Sequence, residues 1–371
     1  MNRRKFLAGS GATIVIVGVT GYMLSDMQNF ERSDSDTKQN NKTRLKADEI
    51  KILSLASLAP SGHNTQPWFI KSLAPYHWII CNDKKRWLPA VDPSQRETVL
   101  SIGAFLQNLT YAADSIGYKP NFKLMATTNQ DEEMMEVKLI KSGKIFSFDT
   151  ETIRQRRTVR SNMLVDAIKK EDLRDLISED PDMIHFISAS SREYGYLNEQ
   201  TIEANRIQSY RNAAQNELSN WIRFSSKDAK KKLDGLTTGS MEIDGIPGWM
   251  VRNFYDRENV MSKSFRDRGI AQVEKQVASS AGWFLISSKE DSVGALIETG
   301  KMMQRLFLKV RDKNIGIHPM TQILEEPSIK QSLNTSVGIK DQIQFILRAG
   351  YVKNYPDPVS LRRTLDMFVR K

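Results

Sequence analysis

Cysteine is almost absent from this chain of 371 residues: Cys81 stands alone, which excludes an internal disulfide and any thiolate cluster around a metal. Histidine is scarce as well, and His63, His77, His185 and His318 are too scattered to read as a metal-binding motif. No glycine-rich phosphate loop of the GxGxxG or GxxxxGK[ST] type follows a strand-like run, so the common nucleotide-binding signatures are missing. Long basic runs are missing too. Past the N-terminus only residues 84–86 and 230–232 form basic triplets, so the net charge of +10 carries no nucleic-acid motif and suits an anionic small molecule equally well.

What is present begins with a composite N-terminus. Arg3, Arg4 and Lys5 precede Phe6 and Leu7, and residues 8–24 are uncharged with four glycines. A basic start followed by an apolar stretch is an export signal, and the paired arginines resemble the twin-arginine (Tat) type. A membrane anchor is the alternative, because the apolar run is nearly long enough to span. Residues 1–25 are therefore set apart as signal or anchor, which points to an extracytoplasmic location and to the Tat machinery as a partner. Residues 26–46 are Asn, Asp, Ser, Gln, Lys and Thr with almost no apolar content, and read as a disordered linker.

The folded part starts near Ala47 and contains two similar segments. Gly103, Gln107 and Leu109, running on to Ile116 and Gly117, are matched by Gly300, Gln304 and Leu306, running on to Ile315 and Gly316. Apolar residues recur at three and four in both, and each predicted helix stops at a glycine. This reads as an internal duplication, with residues 47–150 as the first half and 151–371 as the second, packed as a fused pseudo-dimer. Strands are predicted over 68–73, 77–82, 135–140, 184–189, 283–288 and 342–351, and further helices over 47–58, 170–176, 197–223 and 266–277. Strands and helices alternate without βαβ regularity, so the expected class is a layered α+β fold.

Three stretches bear on chemistry. Residues 59–69 hold Pro60, Ser61, Gly62, His63, Asn64, Gln66, Pro67 and Trp68. The backbone N–H groups, hydroxyl and amides of such a loop can hydrogen-bond a flat, polar-edged ligand or a phosphate. His63 either touches a ligand or caps the turn, and Gln66 and Trp68 read as structural supports. Arg156, Arg157, Thr158 and Arg160 form a phosphate clamp or a charged surface turn. Near the C-terminus, Arg348, Gly350 and Tyr351 precede two prolines and the pair Arg362 and Arg363. Residues 239–250, glycine-rich yet apolar, read either as a lid or as a turn that packs Trp249 into the core.

The loop at 59–69 closely resembles the flavin loop of the nitroreductase superfamily, and residues 156–160 look like that family's RR-[ST]-x-R motif. Asp92, Pro93, Arg96 and Glu97 add to the likeness, as do Gly316 to Gln322 and the Glu325, Glu326, Pro327 run. From about residue 47 to 368 the chain is most similar to the two-domain Acg-type branch, in which two degenerate halves are fused.

The resemblance implies one FMN per chain, bound between the halves. Pro60, Ser61, Gly62 and Asn64 would meet the ring or ribityl chain. Arg156, Arg157, Thr158, Arg160, Arg362 and Arg363 would hold the phosphate and the ring's polar edge, and Gly316 would let the backbone approach the flavin. Flavin chemistry needs little from side chains, so the lack of a catalytic triad does not count against an oxidoreductase. The implied activity is reduction of a nitroaromatic, quinone or similar acceptor, with NAD(P)H or a membrane or periplasmic redox partner as electron donor. A flavin-binding protein without turnover is the competing reading. A fused chain makes obligate dimerisation unnecessary.

Overall fold

The computed structural model describes Asp26 and residues 45–370. The signal-or-anchor segment and nearly all of the linker lie outside the described residues. No helix of the described residues is long and apolar enough to cross a membrane. Asp26, assigned to the linker from its composition, is bonded: its carboxylate accepts hydrogen bonds from the backbone N and the hydroxyl of Ser226, at 2.5 and 2.6 Å.

The fold is mixed α+β and carries two sheets. In the first, β1 (Trp68–Ala74) pairs with β2 (His77–Asn82), and β3 (Tyr118–Leu124) pairs with β4 (Glu133–Lys141). The order is β3-β4-β2-β1-β9, where β9 is Val369–Arg370. The second sheet joins β5 (Ile184–Ser188), β6 (Gly282–Ser288), β7 (Ile315–Pro319) and β8 (Gln342–Tyr351) in the order β5-β6-β8-β7. All pairings are antiparallel except that of β9, which runs parallel to β1. The last residues of the chain thus complete the sheet begun by the first strand.

Two long helices lie at the centre, Arg96–Asp114 and Val293–Asp312. They are the segments matched in sequence, and they meet at the matched glycines. A Cβ on Gly300 would fall 2.1 Å from the Leu100 carbonyl oxygen, and one on Gly103 would fall 2.2 Å from that of Ile297. Only hydrogen at both positions permits this approach. Four residues on, Gln304 donates from Nε2 to Asn108 Oδ1 at 2.7 Å, satisfying polar groups in the buried seam. One apolar cluster runs through the contact and takes in Phe105 and Leu106 from one helix, Leu296 and Phe307 from the other, Trp68 from the first sheet and Phe284 from the second. The two sheets therefore share a core.

Departures from the sequence reading have local causes. The single helix expected over 197–223 is two, Arg192–Tyr210 and Asn212–Trp221, broken at Arg211, whose backbone is extended (φ −78°, ψ 104°). Arg266 stabilises the break by donating to the Ser209 carbonyl (2.8 Å) and to Asn212 Oδ1 (2.9 Å). β3 was not anticipated because it holds Pro120 and alternates polar with apolar residues; it is an edge strand, where proline is tolerated. β7 is also an edge strand and ends at Pro319.

The glycine contact makes a stability prediction. Gly300→Ala places a methyl group against backbone, not against a yielding side chain, and is expected to cost about 1–3 kcal/mol or more, as overpacked cores do. Gly269→Ala, at an exposed helical glycine with nothing within 4 Å of the new Cβ, is expected to be neutral or slightly stabilising. Urea denaturation of the two variants against the parent measures the difference.

Candidate flavin site

The helix Ala47–Ala56 stops at Ser57, whose N–H bonds back to the Leu53 carbonyl. The chain then passes Pro60 and tightens into a short turn at Gly62–Asn64. His63, Asn64 and Gln66 all have positive φ (47°, 54° and 52°), a region that costs an L-residue roughly 1–2 kcal/mol. Hydrogen bonds hold them there. Ser61 Oγ accepts from the Gln66 N–H at 2.9 Å. Asn64 Nδ2 donates to the carbonyls of Gly235 and Leu361, and its Oδ1 accepts from Arg362 at 2.9 Å. Gln66 Nε2 donates to the Leu233 carbonyl, and its Oε1 accepts from the Arg363 N–H.

This settles what the C-terminal arginines do here. Arg362 donates to the carbonyls of Leu58 (3.0 Å) and Ala59 (3.1 Å), which the end of the first helix leaves open. Arg363 donates to the carbonyls of Gln66 and Trp68, both at 2.6 Å. Both side chains are buried. The resemblance implied a grip on a cofactor phosphate; in this structure both side chains hold the loop. The reading of Gln66 and Trp68 as supports agrees with the structure, Trp68 being fully buried 5.1 Å from the Phe105 ring.

The second motif runs extended beside β7, with the Val159 N–H on the Ile317 carbonyl at 3.0 Å. An extended segment sends alternate side chains to opposite sides. Thr158 and Arg160 line a cavity of about 250 Å³ together with Pro60, Ser61, Gly62 and His63. Arg157, Val159 and Ser161 line a different groove of about 600 Å³. Arg157 donates to Glu242 (3.2 Å) and to the Asp357 carbonyl (2.5 Å). Arg156 is buried, lies over the Phe307 ring at 5.2 Å and reaches the Leu58 carbonyl at 3.4 Å. Gly316 faces neither cavity wall nor loop: a Cβ there would sit 3.0 Å from that of Val159. Of the eleven expected contacts, Pro60, Ser61, Gly62, Thr158 and Arg160 converge. Asn64, Arg156, Arg157, Gly316, Arg362 and Arg363 are committed to protein around them. A still larger groove, about 760 Å³, lies by Trp87 and Trp221 and includes Arg363, but it brings none of the loop's other motif residues together.

Arg160 is the cation of the cavity. Its Nε donates to the Ser240 carbonyl (3.0 Å) and a terminal nitrogen to His318 Nε2 (2.7 Å). The carbonyl of Arg160 accepts from the fully buried Arg348 at 2.6 Å. Burial and these two guanidinium groups hold His318 neutral, well below the usual imidazole range, so it serves as an acceptor. Burial also lowers His63 to about 4.

The opposite wall is acidic and was not anticipated as part of the site: Glu97 and Glu325 with Thr321, Gln322 and Gln208. The sequence signal for it was present, since Glu97 and Glu325 belong to the motif runs quoted above. The segment 239–250 does two things. Ser240 and Glu242 close over the arginine segment, Glu242 accepting from the Arg160 N–H (3.0 Å) and from Arg157. From Gly245 to Phe254 it is a helix, with Ile246 75% exposed. Trp249 packs edge-on against Phe254 (5.2 Å).

The residues present suit the ring of an FMN better than its tail. Arg160, Thr158 and the Pro60–Gly62 backbone offer donors to a flat polar edge, and His63 Nδ1 is a buried polar atom with no hydrogen-bond partner. The volume is below the roughly 300–1,000 Å³ of pockets that enclose whole ligands. No second arginine of the expected clamp lines it.

Comparison with known proteins bears on the same point. "Putative NAD(P)H nitroreductase acg" of Mycobacterium tuberculosis is 23% identical over 336 residues, which cover 87% of this chain and 96% of that one. "Probable NAD(P)H nitroreductase PigM" of Serratia is 21% identical over 320 residues, covering 80% and 86%. The likeness is to nitroreductases. It covers four-fifths or more of this chain in each case. A solved structure, a putative nitroreductase from Anabaena variabilis, matches 80% of this chain and 82% of its own at 13% identity, with a TM-score of 0.37, a level that carries no weight. No family model matches the chain.

Two buried histidines held neutral make stability pH-dependent. In the unfolded chain they take up protons below about 6.5, whereas folded His63 resists until about 4. At these histidines the unfolded state therefore binds more protons between those values, and their contribution to stability is lost as pH drops through that window. Buried carboxyls such as Asp92, raised to about 7, act in the opposite sense, so the histidine contribution is read as a difference: the urea midpoint of His63→Gln is expected to gain on that of the parent as pH falls from 7 to 4. Arg362→Ala is expected to cost about 1–3 kcal/mol for the loop carbonyls it leaves unsatisfied, read from the same denaturation curves.

Proposed function

We propose that the chain is an FMN-dependent oxidoreductase of nitroreductase type, reducing nitroaromatic, quinone or similar acceptors at the cavity between residues 60–63 and 158–160. One observation supports this most. Two motifs about a hundred residues apart, each likened on sequence to a flavin-binding element, face the same cavity. Pro60, Ser61 and Gly62 would lie along the ring, and Thr158 and Arg160 would meet its polar edge. When bound, the cofactor supplies hydride transfer. The chain's part is to orient the ring, keep water from it and set the charge around it, and the Arg160 guanidinium favours an anionic reduced ring. The arginine motif occurs once, which favours one flavin per pair of fused halves.

The names of the relatives favour a nicotinamide electron donor. The N-terminal signal favours export, where a quinol or a redox protein would replace it. A second reading, flavin binding without turnover, draws support from the cover that Ser240 and Glu242 make over Arg160.

Adding FMN to the purified protein is expected to give a yellow complex that NADH or NADPH bleaches. Arg160→Ala removes a charge-assisted hydrogen bond of about 1.5–3 kcal/mol and is expected to weaken FMN binding by about tenfold to a hundredfold. Bleaching by dithionite and by neither nucleotide, with no acceptor turnover, selects the second reading. Protein that takes up no flavin refutes both.

A further inference from the structure

We infer that Glu325 is the acid of this cavity, sharing a proton with Glu97 and passing it to the oxygen of an acceptor as that acceptor is reduced. The inference rests on the flavin reading above and extends it from the cofactor to the acceptor side of the reaction.

The geometry leads there first. Thr321 Oγ lies 2.9 Å from Glu97 Oε1 and 3.2 Å from Glu325 Oε1. A hydroxyl has one proton and can donate fully to only one of them. Glu325 Oε2 is occupied, accepting from Gln208 Nε2 at 2.6 Å. The remaining contacts of Glu325, to Thr321 and to Glu97, are satisfied when Glu325 itself carries a proton. Glu97 has a cation beside it, Arg96, which donates to its Oε1 at 3.3 Å. Its other oxygen comes within 3.3 Å of where a Cβ on Gly62 would stand, against the loop that we assign to the flavin.

Electrostatics agree. Burial, and the charge of Glu97 beside it, push the Glu325 carboxyl well above the ordinary carboxylate range. The charged groups around the pair come from several elements. Asp92 and Arg96 stand at the start of the central helix, and Asp92 is itself raised to about 7 by burial and by Glu97. His63 and Arg160 form the facing wall. Glu326 is paired with Arg211 at 2.9 Å, and Lys330 is lowered by burial and by Arg96. The acid on one wall faces the cation on the other across the space that we assign to the ring's edge, so an acceptor beside the ring would have a proton donor in reach.

The balance is simple for a quinone. It gains two electrons and one proton as hydride from the reduced flavin, and a second proton from Glu325, giving a hydroquinone. Glu325 is left as carboxylate and regains its proton from water.

The test uses the full chain loaded with FMN, with a water-soluble benzoquinone as the probe. In rapid mixing, FMN affinity, flavin reduction and reoxidation are measured separately in Glu325→Gln, and the main loss is expected in reoxidation. Its reoxidation by the quinone is expected to be slower by about 10²–10⁴-fold, the usual contribution of a general acid. Reoxidation in the parent should fall as pH rises through the raised Glu325 value, and Glu97→Gln should move that limb to lower pH. Infrared difference spectra between neutral and alkaline pH should show protonated carboxyl lost in the parent and a smaller loss in Glu325→Gln, where Asp92 remains to titrate.

Equal reoxidation rates in parent and variant, or no protonated carboxyl at neutral pH, overturn the role of Glu325 while leaving the cofactor reading intact. Failure to take up FMN overturns both. Should Glu325→Gln not fold, Glu97→Gln decides alone: a pH limb that does not move overturns the pair.

Discussion

The guanidinium of Arg362, set on the carbonyls of Leu58 and Ala59 and on the side chain of Asn64, holds the site together. The loop it holds contains three residues in left-handed conformation, and no local sequence preference would keep them so. A buried cation whose two terminal nitrogens donate to three backbone carbonyls and one amide oxygen offsets that strain, because loss of either partner would leave a polar group in apolar surroundings. Arg363 repeats the arrangement two residues further along the loop, at Gln66 and Trp68. Everything the cavity presents from residues 60–63 is positioned by a segment nearly three hundred residues away.

Much of the scaffold was legible in the sequence. β2 and β8 fall on their expected bounds because their apolar runs end sharply at turn residues. The matched glycines of the two central helices, read in the sequence only as a sign of duplication, lie where those helices touch. The edge strands were harder to see, since β3 is half solvated and interrupted by Pro120. The arginines show the limit of reading residue types. Arg156, Arg157, Thr158 and Arg160 fit a phosphate clamp by composition, but the extended backbone divides them between two faces, and only Thr158 and Arg160 share the cavity. Arg362 and Arg363 are equally good donors to a phosphate and to a carbonyl, and sequence does not say which acceptor lies in reach. Glu97 and Glu325 were read as motif markers because nothing in a linear sequence brings them within reach of one hydroxyl.

Charge in the cavity is arranged by contrast between its walls. One wall carries Arg160 over a neutral His318, backed by Arg348, whose burial lowers it to about 10. The other carries Glu325, which burial and the charge of the neighbouring Glu97 drive toward protonation. Neither wall could keep its character in open water, where screening would bring each group back to its ordinary behaviour. Ser240 and Glu242 supply part of that enclosure, so the same residues that close over the arginine also set its electrostatics.

The parallel pairing of β9 with β1 has a consequence for how the molecule comes into being. Residues 361–370 splint the turn that follows the first helix. The loop therefore takes its shape only once contacts nearly three hundred residues apart in sequence have formed, and closing so long a stretch of chain makes it a late-forming part of the fold.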